Sequence, residues 1–118
     1  MQVVIICYPK CGTCQKAVKW LKNNEIEYEY RPIKEENPSV EELKLWIKMS
    51  GLPVSKFFNT SGLLYKEQNM KVKVKTLSEP ELIDILASNG LMVKRPILLA
   101  GDRVLVGFNE DDWIKILR

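Results

Sequence analysis

Near the start of the chain Val3-Val4-Ile5-Ile6 is a β-branched apolar run, the pattern of a fully buried strand, and Pro9, Cys11 and Gly12 stop it in a compact turn. From Thr13 to Asn23 the period lengthens to that of a helix. Cys14, Ala17, Val18 and Leu21 recur at spacings of three and four, with Trp20 beside them and Lys16, Lys19 and Lys22 on the outer side. Asn23-Asn24 ends this helix. Ile26, Tyr28 and Tyr30 then alternate with Glu25, Glu27 and Glu29, which predicts a half-buried strand closed by Arg31-Pro32. A crossover of this length makes the two strands parallel.

After Pro38 the pattern is helical. Ser39-Val40-Glu41-Glu42 is a capping box, and Val40, Leu43, Trp46 and Ile47 form an apolar stripe that stops at Gly51. Pro53 to Phe58 adds a short helical turn, and Asn59-Thr60-Ser61-Gly62 is loop chemistry. Residues 66–76 read as a connection, because Lys71-Val72-Lys73-Val74-Lys75 has strand period among helical elements. A second capping box, Ser78-Glu79-Pro80-Glu81, opens a helix carrying Leu82, Ile85 and Leu86, closed by Asn89-Gly90. Ile97-Leu98-Leu99 and Val104-Leu105-Val106 flank a turn and predict an antiparallel hairpin. Asn109 caps a last helix with an acidic first turn and a buried face of Trp113, Ile114 and Leu117. The order βαβ, helices, ββα predicts an α/β fold with a mixed sheet. It is read as one domain over 1–118 with a helical insertion at about 37–90.

Composition narrows the chemistry. A chain of 118 residues with 46% hydrophobic residues buries roughly two-thirds of its unfolded surface, enough for a core without disulfides or metal. The net charge is +3 and the basic residues are dispersed, too weak a footprint for direct nucleic-acid binding. No run approaches the ~18 apolar residues of a membrane span, and no basic segment precedes the first apolar run. The expected location is the cytoplasm, with no membrane association. The absence of His excludes a Ser/His/Asp triad, a Cys/His dyad and a His-ligated metal site, so a nucleophile here must be activated by backbone dipoles or a cation.

The three Cys, Cys7, Cys11 and Cys14, are all within the first fourteen residues. So odd and bunched a set is not a secreted disulfide framework, and without His it lacks the usual fourth zinc ligand. Cys11-Gly12-Thr13-Cys14 follows a strand and opens a helix. A thiolate at Cys11 would face the unsatisfied N–H groups of that helix, which should lower its pKa below the ~8.5 of a free thiol. Cys14, one turn along the same face, is within disulfide reach and is the natural resolving thiol. Cys7, at the end of a buried strand, reads as a small hydrophobe.

Tyr8-Pro9-Lys10-Cys11-Gly12-Thr13-Cys14, Lys94-Arg95-Pro96-Ile97, Val106-Gly107-Phe108-Asn109-Glu110-Asp111 and the Phe57 to Gly62 loop together resemble the arsenate reductase (ArsC) and Spx/MgsR family. The resemblance implies a thioredoxin-like fold with a helical insertion, and a cis-Pro at Pro96 facing the active Cys. It implies Cys11 as nucleophile and Arg95 as the cation that holds an oxyanion beside it, with Gly12, Thr13 and Pro96 shaping the site. No bound cofactor is implied. The co-substrate would be a thiol reductant such as glutathione with glutaredoxin, or thioredoxin. Two further anion-binding arginines of the glutaredoxin-coupled arsenate reductases are not matched: one would fall near Asn59, the other at Gly107. At about 1.5–3 kcal/mol for each charge-assisted bond, their absence implies weak arsenate binding. A Cys at position 14 and the motif from Val106 to Glu110 resemble the Spx side, whose members regulate transcription through the RNA polymerase α subunit. Gly51 is the candidate contact there, although a helix C-cap explains it equally.

Overall fold

The first apolar run forms strand β1 (Val3–Cys7), an inner strand of the sheet in this computed structural model, which describes residues 2–117. Helix α1 (Gly12–Asn23) follows and returns the chain to β2 (Glu29–Pro32), parallel to β1 with Val4 opposite Glu29 and Cys7 opposite Pro32. The end of α1 explains why β2 starts later than the alternation from Ile26 suggests. Glu25 takes a left-handed φ of 56°, while its N–H reaches the Lys22 carbonyl and the Ile26 N–H reaches Leu21. This paired closure consumes the Ile26 donor, so the extended segment joins β1 only from Glu29. The alternation survives in burial as far as Tyr28, with Ile26 and Tyr28 half-buried between exposed glutamates, whereas Tyr30, expected on the inner face, is exposed.

The middle segment is helical: α2 (Val40–Ser50), a 3-10 turn at Val54–Phe57, α3 (Leu63–Glu67), α4 (Met70–Thr76), α5 (Glu79–Ser88) and a second 3-10 turn at Gly90–Met92. Both capping boxes form, with the Ser39 and Ser78 hydroxyls accepting the amides of Glu42 and Glu81. Gly51 closes α2 at φ 72°, a left-handed cap that favours glycine. The expected connection at 66–76 is corrected, since α3 and α4 occupy it. Met70 is buried, Lys73, Val74 and Leu77 are half-buried and Val72 is exposed, so the burial follows helical spacing and the Lys/Val alternation is incidental. In α5 it is Ile83 that joins Leu82 and Leu86 in the interior, with Ile85 half-buried. Gly90 lies so close to the Ile33 carbonyl that a Cβ would collide with it.

β3 (Ile97–Ala100) pairs antiparallel with β1, and β4 (Arg103–Val106) pairs antiparallel with β3, giving the order β2-β1-β3-β4. Helix α6 (Glu110–Leu117) follows, with the Asn109 side chain accepting the Asp112 amide at 3.1 Å. Its inner face is Trp113, Ile116 and Leu117. Ile114 is 45% exposed, correcting the expected face, because the i, i+3, i+4 stripe from Trp113 passes it by. The molecule is an α/β protein with a mixed sheet and a thioredoxin-like βαβ, helices, ββα order.

Two compact units are distinguished, one of Met1–Pro32 with Arg95–Arg118 and one of Ile33–Lys94, Met1 and Arg118 themselves lying outside the described residues. In the first, Val3, Ile5 and Cys7 of β1 and Leu98 and Ala100 of β3 pack with Cys14, Ala17 and Leu21 of α1 and Trp113 of α6. Each fully buried Leu or Ile there contributes about 1.5–3 kcal/mol.

Candidate functional site

Strand β1 delivers Cys7 to its C-terminal end, and the chain turns tightly into α1, with the Cys11 N–H donating to the Tyr8 carbonyl at 3.0 Å. Cys11 is the N-cap of α1, extended at φ −88° and ψ 122°, and its own carbonyl accepts the Gln15 N–H at 3.0 Å. The Gln15 side chain donates to the Pro9 carbonyl at 2.9 Å and ties the turn down. Cys11 is half-buried, Gly12 and Thr13 are exposed in the first turn, and Cys14 is 1% exposed one turn further on. All three cysteines are free thiols.

The sulfurs form one cluster. The Tyr8 N–H donates to Cys14 Sγ at 3.4 Å, and Cys7 and Cys11 pack into the same core as Cys14. The Cys7 hydrogen bond is the main reason that Cys14 is lowered to about 6; the Tyr8 amide, Cys11 and the positive charge of Arg95 add to it, outweighing burial. Cys7 moves the opposite way, pushed well above the ordinary thiol range because its hydrogen bond to Cys14 and its complete burial both favour the neutral form. The sequence placed the anionic thiol at Cys11, whereas these contacts converge on Cys14. Sequence reasoning missed Tyr8 as an amide donor, its only signal being its position just before the Cys-x-x-Cys turn; Cys7 is buried in the core, as read.

Arg95 is half-buried, with its guanidinium 5.1 Å from the centre of the Tyr8 ring, a cation–π contact. The Arg95–Pro96 peptide is cis, and the buried Pro96 accepts the Gly107 N–H at 2.8 Å. Gly107 has φ 83°, a conformation in which any L side chain is strained, so the arginine that the reductases carry there does not suit this backbone. Its carbonyl accepts the indole N–H of Trp113 at 3.3 Å, and Phe108 and Trp20 meet Trp113 edge-on at 4.9 and 5.9 Å. An aromatic cluster therefore anchors the segment that holds Pro96. Asn59 belongs to the other unit, where its N–H donates to Met92.

A cavity of about 640 Å³ adjoins the cluster, walled by Tyr8, Pro9, Cys14, Lys19, Tyr28 and Tyr30, a volume within the range of small-ligand sites. Among the described residues no group of His, Cys, Asp or Glu side chains could hold a metal ion, and no helix is long and apolar enough to cross a membrane.

Residues 7–116 match the model of the ArsC family. The chain is 48% identical to the uncharacterized protein YusI of Bacillus subtilis over 96% of each chain, and 32% identical to the global transcriptional regulator Spx of Staphylococcus aureus over 98% of this chain and 86% of that one. Among solved structures it superposes on a Bacteroides fragilis protein described as ArsC family related, with TM-score 0.95, 53% identity and 98% of each chain covered. The arsenate reductase from Vibrio cholerae gives TM-score 0.88 at 30% identity, over 99% of this chain and 98% of that one.

Proposed function

The chain belongs to the ArsC family, and on that footing we propose that it is a cytoplasmic thiol–disulfide oxidoreductase in which Cys11 attacks and Cys14 resolves. The observation that carries this reading is the half-buried Cys11 at the N-cap of α1, one helical turn from a Cys14 whose sulfur accepts the Tyr8 N–H at 3.4 Å and is lowered to about 6. In the first step Cys11 Sγ attacks a sulfur of a disulfide substrate, its proton passing to the departing sulfur, which leaves as a thiol, and a mixed disulfide remains on Cys11. Cys14 Sγ then attacks Cys11 Sγ, releases the second thiol and closes the Cys11–Cys14 bond. An external thiol reductant, glutathione with glutaredoxin or thioredoxin, supplies the two electrons that reopen it. Arg95 favours the anionic sulfurs and any oxyanion beside them, and the cavity along Cys14 offers room for the body of a substrate. Gly12, Thr13 and Pro96 frame the approach to Cys11.

Arsenate is the weaker substrate in this reading, because Gly107 stands where one of the expected anion-binding arginines would be, in a left-handed conformation that disfavours a side chain. A coupled reductase assay on arsenate and on a small disulfide tests it. Disulfide turnover abolished by Cys11→Ser, with poor arsenate turnover, is expected. Arsenate reduction at micromolar substrate would overturn the substrate preference, and no turnover of either would overturn the enzyme.

A second reading is supported by the likeness to Spx: a redox-sensitive regulator that docks on the RNA polymerase α subunit when Cys11 and Cys14 change state. Gly51, the exposed left-handed cap of α2, is the candidate contact, although capping alone accounts for it. A pull-down with the reduced and oxidised protein, probed for the α subunit, separates the two. Redox-dependent capture without turnover favours the regulator.

A further inference from the structure

We propose that the groove between α1 and β2 is the subsite for the body of the disulfide substrate, and that it selects a disulfide whose half-molecule is an aromatic ring ending in an acid. The selection rests on the disulfide chemistry proposed above and gives it a class of substrate.

The groove follows from where α1 directs its apolar stripe. Cys14, Ala17 and Leu21 are buried against β1 and β3, which leaves Gln15, Val18, Lys19 and Lys22 beside the edge strand β2. Parallel pairing sets Tyr30 opposite Ile5, on the side of the sheet that α1 covers, and Tyr28 packs on the same cluster. Val18 is the one aliphatic side chain that α1 contributes to this gap, and it does not fill it. About 640 Å³ remains open, and Tyr30, although set toward α1, is 37% exposed. All the walls lie within one unit, between Tyr8 and Tyr30.

The lining has two ends. Tyr8, Pro9 and Cys14 wall the sulfur end, next to the turn that carries Cys11, and Arg95 holds the Tyr8 ring there. Tyr28 and Tyr30 continue the wall, so a flat ring between them gains aromatic contacts beyond its burial. The charge is one-sided. Lys19 and Lys22 are the charged members, and among the described residues that line the groove none is Asp or Glu; Glu27 and Glu29 are exposed outside it. At 1.5 Å per residue, Lys19 and Lys22 stand about 8 and about 12 Å along α1 from Cys14, and helix side chains lean back toward the N-terminus. An acid one ring away from the reacting sulfur is therefore within reach of both ammonium groups. With such a disulfide, Cys11 displaces one aryl thiol, and Cys14 displaces the other as the Cys11–Cys14 bond closes. Each departing sulfur takes the proton of the cysteine that displaces it, and the two electrons that reduce the substrate come from the two protein thiols.

Binding can be read apart from chemistry. para-Phenylbenzoate, which carries no sulfur, is titrated into the reduced protein and followed by backbone amide shifts, which should concentrate at residues 14–23 and 28–30. The corresponding neutral amide should bind about fivefold more weakly. Lys19→Gln with Lys22→Gln should remove that difference, Lys16→Gln, outside the groove, should keep it, and Tyr30→Ala should weaken both probes. For the chemistry, the pre-reduced protein is mixed in stopped flow with bis(para-carboxyphenyl) disulfide or its bis-amide, without added reductant. Thiol release from the acid, relative to the amide, should fall about fivefold in the double lysine variant, and para-phenylbenzoate should compete with it. Equal binding of acid and amide probes, or shifts centred elsewhere, overturns the proposal. So does groove binding that leaves thiol release from the acid disulfide unchanged. If neither disulfide releases thiol, the oxidoreductase reading fails and takes the subsite with it, a failure told apart by para-phenylbenzoate still binding in the groove.

Discussion

Arg95 brings its charge to bear on Cys14 across the face of Tyr8, so removing it takes away part of what favours a thiolate there. Arg95→Ala should raise the Cys14 midpoint above about 6, read from the 13Cβ shift of selectively labelled cysteine followed against pH in the reduced protein. An unchanged midpoint in a folded variant would remove Arg95 from the site. Stability should follow the same sulfurs. The folded pKa of Cys14 is depressed, so its contribution is full above the unfolded thiol value and is lost as pH falls through about 6. Cys7 has the opposite sign: its folded pKa is raised, so its contribution is present below the unfolded value of 9.0 and is lost as pH rises beyond it. Urea midpoints of the reduced protein should therefore climb from about pH 6 to about pH 9 and fall again above it, whereas a flat profile would contradict the assignment of either sulfur. Cys11 and Cys14 were legible in the residues because a Cys-x-x-Cys turn between a strand and a helix marks itself locally, whereas Arg95 and Pro96 entered only through the family resemblance. The Tyr8 amide on Cys14 Sγ was not legible, because a backbone donor leaves no mark on the sequence.

Capping boxes are the most legible elements, since the Ser hydroxyl and the Glu three residues on satisfy each other's backbone partners without help from the rest of the fold. Ser39→Ala should cost about 1 kcal/mol in urea unfolding, and a negligible change would mean that the box at α2 contributes nothing. α4 is the opposite case. Its two valines alternate with lysines, and only tertiary burial reveals that Met70 and Val74 face inward while Val72 does not. Met70→Ala should cost about 2–5 kcal/mol and Val72→Ala less than about 0.5, whereas comparable losses at both would contradict the helical face of α4. The late start of β2 and the exposure of Ile114 have a similar origin. A hydrophobic pattern fixes a face only to within one residue until a cap or a neighbouring ring selects the register.

At the scale of the molecule, the site draws on both ends of one unit: β1 and α1 bring the thiols and the segment before β3 brings Arg95, while Ile33–Lys94, intervening in sequence, folds as a unit of its own. Long sequence separation hides this meeting, which the sequence carried only through the family resemblance; in the fold, β3 pairs with β1. The account rests on Cys11 as the attacking sulfur and Cys14 as the resolving one. The measurement that bears on it most directly is mass spectrometry of wild type and Cys14→Ser after exposure to oxidised glutathione, with fragmentation to locate each bond. The account predicts a Cys11–Cys14 disulfide in wild type and a stable glutathione adduct on Cys11 in Cys14→Ser. An adduct on Cys7 in Cys14→Ser, or a wild type that carries glutathione on Cys14 and closes no disulfide with Cys11, would contradict it.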